Sequence, residues 1–264
     1  MEAFEKWNNR DVLSACLGLI DLTSLNSTDT KEKIEKMVDK VNSFSDNWNK
    51  YSNVAAICVY PNFASAVKQK LTAKGVKIAV VGGVFPSSQS FLSVKAEECR
   101  IAVEHGADEV DIVLALSHFL AGDMEEASKE IRELKKACGD AHLKVILETG
   151  ALTIEQIEVA SMLAMEAGAD FIKTSTGKME PAATPQAAEA MCRAIKEYHK
   201  KTGRMVGFKP AGGIVTPEDA VKYYAIVDSI LGKEWLNPHY FRLGASRLAN
   251  NLLSELEDKT VNYF

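Results

Sequence analysis

Eight short runs rich in branched apolar residues, separated by stretches with helical periodicity, recur from one end of this 264-residue chain to the other. They are ACLGLI at 15–20, VAAICVY at 54–60, KIAVVGG at 77–83, EVDIVLA at 109–115, LKVILET at 143–149, DFIKTS at 170–175, MVGFKP at 205–210 and YFRLGAS at 240–246. Near-continuous apolar runs of this length suit parallel strands covered on both faces by crossover helices. Eight strand–helix units in about 250 residues predict an α/β chain folded as a single closed (β/α)8 TIM barrel. An open doubly wound sheet would carry G-x-G-x-x-G after an early strand, and no such motif occurs. Residues 1–14 read as an N-terminal extension and 259–264 as a mobile tail.

The intervening segments carry helix chemistry at both ends. Ile34, Met37, Val38 and Val41 form one stripe at the i, i+3, i+4, i+7 spacing. Thr153 with Gln156 reads as a capping box, and Gly168 closes that helix. Thr184-Pro185 and Thr216-Pro217 each set a hydroxyl cap before a proline at the first helical position, where the missing N–H costs nothing. Gly203 and Gly232 then stop those two helices.

Charge and cysteine content exclude several function classes. The formal net charge is −5, which argues against nucleic acid or another polyanion as the main partner. No apolar run is long enough to span a bilayer, so no membrane role is expected. The five cysteines, Cys16, Cys58, Cys99, Cys138 and Cys192, include no C-x-x-C pair, and no histidine cluster accompanies them. Neither a disulfide framework nor a metal site follows, and no cofactor is expected. The opening MEAFEKWNNRD is charged and lacks the apolar core of a signal peptide, so a cytoplasmic location is expected. The sequence permits a homo-oligomer.

The stretch FIKTSTGK, residues 171–178, carries the chemistry. A nucleotide-binding phosphate loop would need glycine where Ile172 stands and a hydroxyl where Met179 stands, so that reading fails. An internal similarity is more informative. EHGADEVD at 104–111 and EAGADFIK at 166–173 share a helix end, a glycine stop, an Ala-Asp turn and a strand entry. Laid over each other without a gap, they put Asp111 at the position of Lys173. These runs are the fourth and sixth, and alternate barrel strands contribute to the same interior layer. With Ile172 and Thr174 facing the helices, Lys173 points inward, and Asp111 shares its facing. Lys209 occupies the matching late position of the next strand, in GFKPAGG. Two partly desolvated ammonium groups close together lower at least one pKa. A neutral amine is a nucleophile towards carbonyls, which points to Schiff-base chemistry at Lys173. Asp111 reads either as a structural counter-ion or, with Lys209, as the group that moves protons.

Glycine-rich loops follow the last strands: Gly212-Gly213, then Gly244-Ala245-Ser246 ahead of the final helix. Loops after strands seven and eight of such barrels cradle phosphate on backbone N–H groups. Thr176, Gly177 and Lys178 after strand six would add a hydroxyl, an N–H and a cation.

Taken together, DLTSLN, AAICVYP, ADEVDIV, FIKTSTGK, GFKPAGG and FRLGAS, in that order from about Asp21 to Leu248, resemble the deoxyribose-phosphate aldolase family of class I aldolases. The resemblance implies reversible cleavage of 2-deoxy-D-ribose 5-phosphate to D-glyceraldehyde 3-phosphate and acetaldehyde. It implies Lys173 as the Schiff-base lysine and Asp111 and Lys209 in proton transfer. Phosphate contacts carry over to Gly177, Lys178, Gly212, Gly213, Gly244 and Ser246, and Thr23 and Cys58 match pocket-lining positions. The pattern departs from the family at Arg247, where a second serine is usual, and around Phe85-Pro86 in VGGVFPSS. Tyr263, near the end of the chain, is a candidate to fold back over the site as a proton carrier. Two rival readings share the barrel: another sugar-phosphate aldolase, such as a transaldolase-like enzyme, and a sugar-phosphate-binding protein whose lysines only hold the ligand.

Overall fold

A computed structural model describes residues 2–264, with side chains from Glu5 onward. The eight strands are β1 Ile20–Thr23, β2 Ala56–Val59, β3 Lys77–Val81, β4 Glu109–Val113, β5 His142–Ile146, β6 Phe171–Lys173, β7 Gly207–Lys209 and β8 Leu243–Ala245. Each pairs in parallel with its neighbours in the order β7-β6-β5-β4-β3-β2-β1-β8. Two parallel bridges, Phe208 with Phe241 and Ala211 with Gly244, join β7 to β8 and close the ring. The expected barrel is present, with helices packed around it.

The expected first strand is displaced. Residues 15–17 belong to the helix Arg10–Leu17, and the strand begins at Ile20. Asn9 caps that helix by accepting from the Val12 N–H, and Leu13, Cys16 and Leu17 bury one helical face. The helical spacing of those three residues outweighs the β-like look of ACLGLI. This helix also crosses the boundary expected for a plain N-terminal extension. The other end signals hold: Thr153, Thr184 and Thr216 each accept an N–H from the first turn of their helices.

Strand alternation divides the interior in two. Ile57, Val80, Val110, Ile112, Leu143, Val145, Ile172 and Phe208 face the helices and are essentially fully buried in the main apolar core. Burying each such side chain contributes about 1.5–3 kcal/mol. The alternate positions point into the barrel, where Ala56, Cys58 and Ala79 form a separate small-residue cluster on one side. Opposite it, Phe171 fills the barrel against Gly207, where a Cβ would lie 2.3 Å from the ring. Small residues on one wall and glycine beneath Phe171 leave room for charged side chains above.

Candidate active site

Register brings the charged residues together. Lys173 on β6 is the direct partner of Lys209 on β7, and Asp111 on β4 is the partner of Lys144 on β5. Lys173 Nζ lies 2.8 Å from Asp111 Oδ2, and Lys209 Nζ lies 2.7 Å from the same oxygen. Lys209 also meets Asp21 Oδ2 at 2.5 Å. Lys144 joins Asp111 Oδ1 at 2.9 Å to Glu109 Oε2 at 2.5 Å. Arg242 completes the ring, with Nη1 on Asp21 Oδ1 and Nη2 on Glu109 Oε1, both at 2.7 Å. All seven groups are buried.

This network has three carboxylates and four basic groups. The basic groups outnumber the carboxylates by one, and of the four only Lys173 has its pKa lowered. Burial lowers the pKa of Lys173, Asp111 opposes that effect, and the charge of Lys209 reinforces it. For Lys209, burial is outweighed by the two carboxylates Asp111 and Asp21, which hold it above the ordinary lysine value. Lys144 is likewise raised: burial is overcome by Asp111 and Glu109. Asp111 is held well below the usual carboxylate range, because Lys144, Lys173 and Lys209 together overcome its burial. Crowding by a second cation contributes to the lowered pKa of Lys173, but desolvation is the larger cause.

Lys173 borders a cavity of about 260 Å³ at the C-terminal ends of the strands. Thr23, Thr176, Gly177, Lys178, Gly212, Gly213, Gly244, Ser246 and Arg247 all line it. Gly177, Gly212 and Gly213 have φ of 73°, 84° and 76°, a left-handed conformation that disfavours side chains and that recurs in the backbone nests that bind anions. Their N–H groups, and that of Ser246, donate to no protein acceptor among the described residues. Ser246 and Arg247 lead directly into the helix Leu248–Glu257, whose N-terminal partial charge favours an anion. Arg247, where the resemblance implies serine, is an exposed residue at the edge of this lining.

Four candidates take places other than those expected. The Thr176 N–H and hydroxyl both donate to Glu148, so neither is free for a ligand. The Gly244 N–H donates to Pro210 O at 2.9 Å, so this glycine offers space instead of a donor. Tyr263 does not line the cavity: its hydroxyl donates to Lys40 O at 2.7 Å, and its ring packs edge-on to Phe44 and Trp48. Its segment makes further contacts. Asn250 Oδ1 accepts the N–H groups of Tyr263 and Phe264, and Phe264 stacks on Phe44.

Cys58 is fully buried inside the barrel and does not line the cavity. Burial pushes its thiol pKa up, although Lys209 and Lys173 pull the other way. Sequence reasoning gave no role to Asp21, Glu109, Lys144, Arg242 or Glu148. For the first four a signal existed: a charge at alternate positions of an otherwise apolar run, as in EVDIV, HLKVI and FRLGA. A larger cavity of about 760 Å³ lies outside the barrel, by Pro61, Val94 and Ile101, remote from this network.

Comparison with known proteins agrees with this arrangement. The family model for the DeoC/LacD family aldolase matches residues 16–229. The chain is 42% identical to human deoxyribose-phosphate aldolase over 270 aligned positions, covering 98% of this chain and 83% of the human one. Among solved structures, it is similar to the tetrameric deoxyribose phosphate aldolase from Aeropyrum pernix, with a TM-score of 0.71 and 26% identity over 94% of this chain and 92% of that one. It is also similar to the aldolase QR15, with a TM-score of 0.74 and 28% identity over 92% of this chain and 96% of that one. A barrel with a buried lysine pair at its mouth, matched by this family over most of its length, belongs to the DeoC/LacD aldolases and is a carbon–carbon lyase.

Proposed function

We propose that the protein cleaves 2-deoxy-D-ribose 5-phosphate reversibly to D-glyceraldehyde 3-phosphate and acetaldehyde through a Schiff base on Lys173. The observation that carries this reading is the sharing of Asp111 Oδ2 by two buried amines, of which only Lys173 has a lowered pKa and borders the cavity.

Neutral Lys173 Nζ adds to the aldehyde carbon of the open-chain sugar. Lys209, held protonated, gives a proton to the carbinolamine hydroxyl, which leaves as water and yields an iminium. Asp111 balances that positive charge. Its carboxylate takes the proton of the hydroxyl on carbon 3, and the bond between carbons 2 and 3 breaks into the iminium. Glyceraldehyde 3-phosphate departs, and an enamine remains. Asp111 returns the proton to carbon 2, and water releases acetaldehyde as Lys209 recovers its proton. The phosphate sits in the nest of Gly177, Gly212, Gly213 and Ser246 beside Lys178 and Arg247. Binding energy from this remote group holds the reacting carbons against Lys173.

Borohydride reduction with acetaldehyde or the sugar phosphate tests the covalent step. A mass increase mapped to Lys173, lost in Lys173→Ala, is the expected result. An active enzyme that gives no adduct would overturn the reading. Assays with acetaldehyde against dihydroxyacetone-type donors separate this substrate from those of other sugar-phosphate aldolases. No described helix is long and apolar enough to cross a membrane. All five cysteines are unpaired, which supports a reducing, cytoplasmic location.

A further inference from the structure

Glu148, at the C-terminal end of β5, has φ 55° and ψ 60°, a left-handed conformation that costs a non-glycine residue energy and persists where the surroundings impose it. The residue is 4% exposed, and both carboxylate oxygens serve one neighbour. Oε1 accepts the Thr176 N–H at 3.0 Å, and Oε2 accepts the Thr176 hydroxyl. That hydroxyl oxygen in turn accepts the Lys178 N–H at 3.0 Å. One buried carboxylate thus fixes the residues on both sides of Gly177.

The neighbours of Glu148 support the same segment. The Thr149 N–H donates to Thr174 O at 2.9 Å. At Gly150 a Cβ would lie 2.1 Å from Pro181 O, so the loop after β6 lies directly on the loop after β5. The far side of the segment meets the other glycine loop, with Gly177 Cα 3.3 Å from where a Gly212 Cβ would sit. The loop after β6 is therefore set from beneath by the loop after β5 and faces the Gly212-Gly213 turn across the cavity.

We infer that Glu148 is a positioning residue for phosphate recognition, presetting Gly177 and Lys178 by binding both donors of Thr176. A carboxylate near a phosphate cavity repels the dianion unless donors absorb its charge, and Thr176 supplies two. Without Glu148 those donors turn to solvent, and Gly177 loses the restraint on both its neighbours. This inference rests on the proposed sugar-phosphate substrate.

The test compares Glu148→Ala and Glu148→Gln with the unaltered full chain on 2-deoxyribose 5-phosphate and on unphosphorylated 2-deoxyribose. Borohydride trapping with acetaldehyde, which does not use the phosphate site, checks that each variant is folded. Glu148→Ala should lose about tenfold or more in kcat/KM on the phosphorylated sugar, carried by KM, while trapping persists. The preference for the phosphorylated sugar should fall by the same factor. Glu148→Gln keeps an acceptor for the Thr176 N–H and should recover part of the loss. Equal losses on both sugars, or an unchanged KM, would overturn the inference. If the alanine variant fails to trap, the ratio measured with Glu148→Gln decides. Failure of the unaltered protein to prefer the phosphorylated sugar would instead remove the substrate reading beneath it.

Discussion

Lys173 and Lys209, register partners on adjacent strands, place their amines on the same oxygen of Asp111, yet their pKa values move in opposite directions. The difference is Asp21. Lys209 has two carboxylates within 2.7 Å, whereas Lys173 shares one. Both amines are buried, so the number of anionic partners sets the direction in which each pKa moves. In the proposed mechanism this lets one lysine act as nucleophile while its neighbour acts as acid.

Removing the neighbouring cation should therefore impair Lys173. In Lys209→Leu, Asp111 has fewer cations to satisfy and holds the Lys173 proton more firmly. The Lys173 pKa rises, and its neutral fraction at pH 7 falls about tenfold for each unit of rise. The pH profile of borohydride trapping should move to higher pH. An unmoved profile would count against the coupling.

Asp111→Asn should separate adduct formation from cleavage. Loss of the carboxylate removes the main influence raising the Lys173 pKa, so trapping with acetaldehyde persists and extends to lower pH. Cleavage of the sugar phosphate, which needs the proton carrier, should fall by about 10²–10⁴ in kcat. Parallel losses in both assays would show that Asp111 acts only as a counter-ion.

At the proposed phosphate site, Gly212→Ala introduces a Cβ 2.7 Å from that of Ala182, in a backbone with φ of 84°. The loop must shift. KM for the phosphorylated sugar should rise about tenfold, and stability should fall by more than about 1 kcal/mol. Steady-state kinetics and urea unfolding report the two effects, and an unchanged KM would place the phosphate elsewhere.

Acid should weaken the fold through the same buried network. Asp21 and Asp111 both have folded-state pKa values below the ordinary carboxylate value, despite burial, because cations surround them. Their stabilisation is present above the unfolded pKa of about 3.9 and is lost as pH falls below it towards the folded values. Arg242→Met leaves Asp21 and Glu109 short of a buried partner and should cost about 3–5 kcal/mol at neutral pH. Urea unfolding across this pH range should show the variant with a shallower acid dependence than the parent.

The chain alone determined the barrel, the inward facing of Lys173 and the company of Asp111 and Lys209, because a period of two and a repeated Gly-Ala-Asp entry are local properties that survive folding. It misplaced the first strand, since ACLGLI fits the strand pattern although its Cys16 and Leu17 share a buried helical face with Leu13. Only the tertiary structure decided that Asp21 makes the two lysines unequal and that Glu148 occupies the donors of Thr176. The same holds for Tyr263, which is drawn to Phe44 and Lys40 instead of the cavity. These are contacts between residues far apart in the chain. Their energies depend on burial and on which partner reaches an oxygen first, quantities that exist only once the ring of strands has closed.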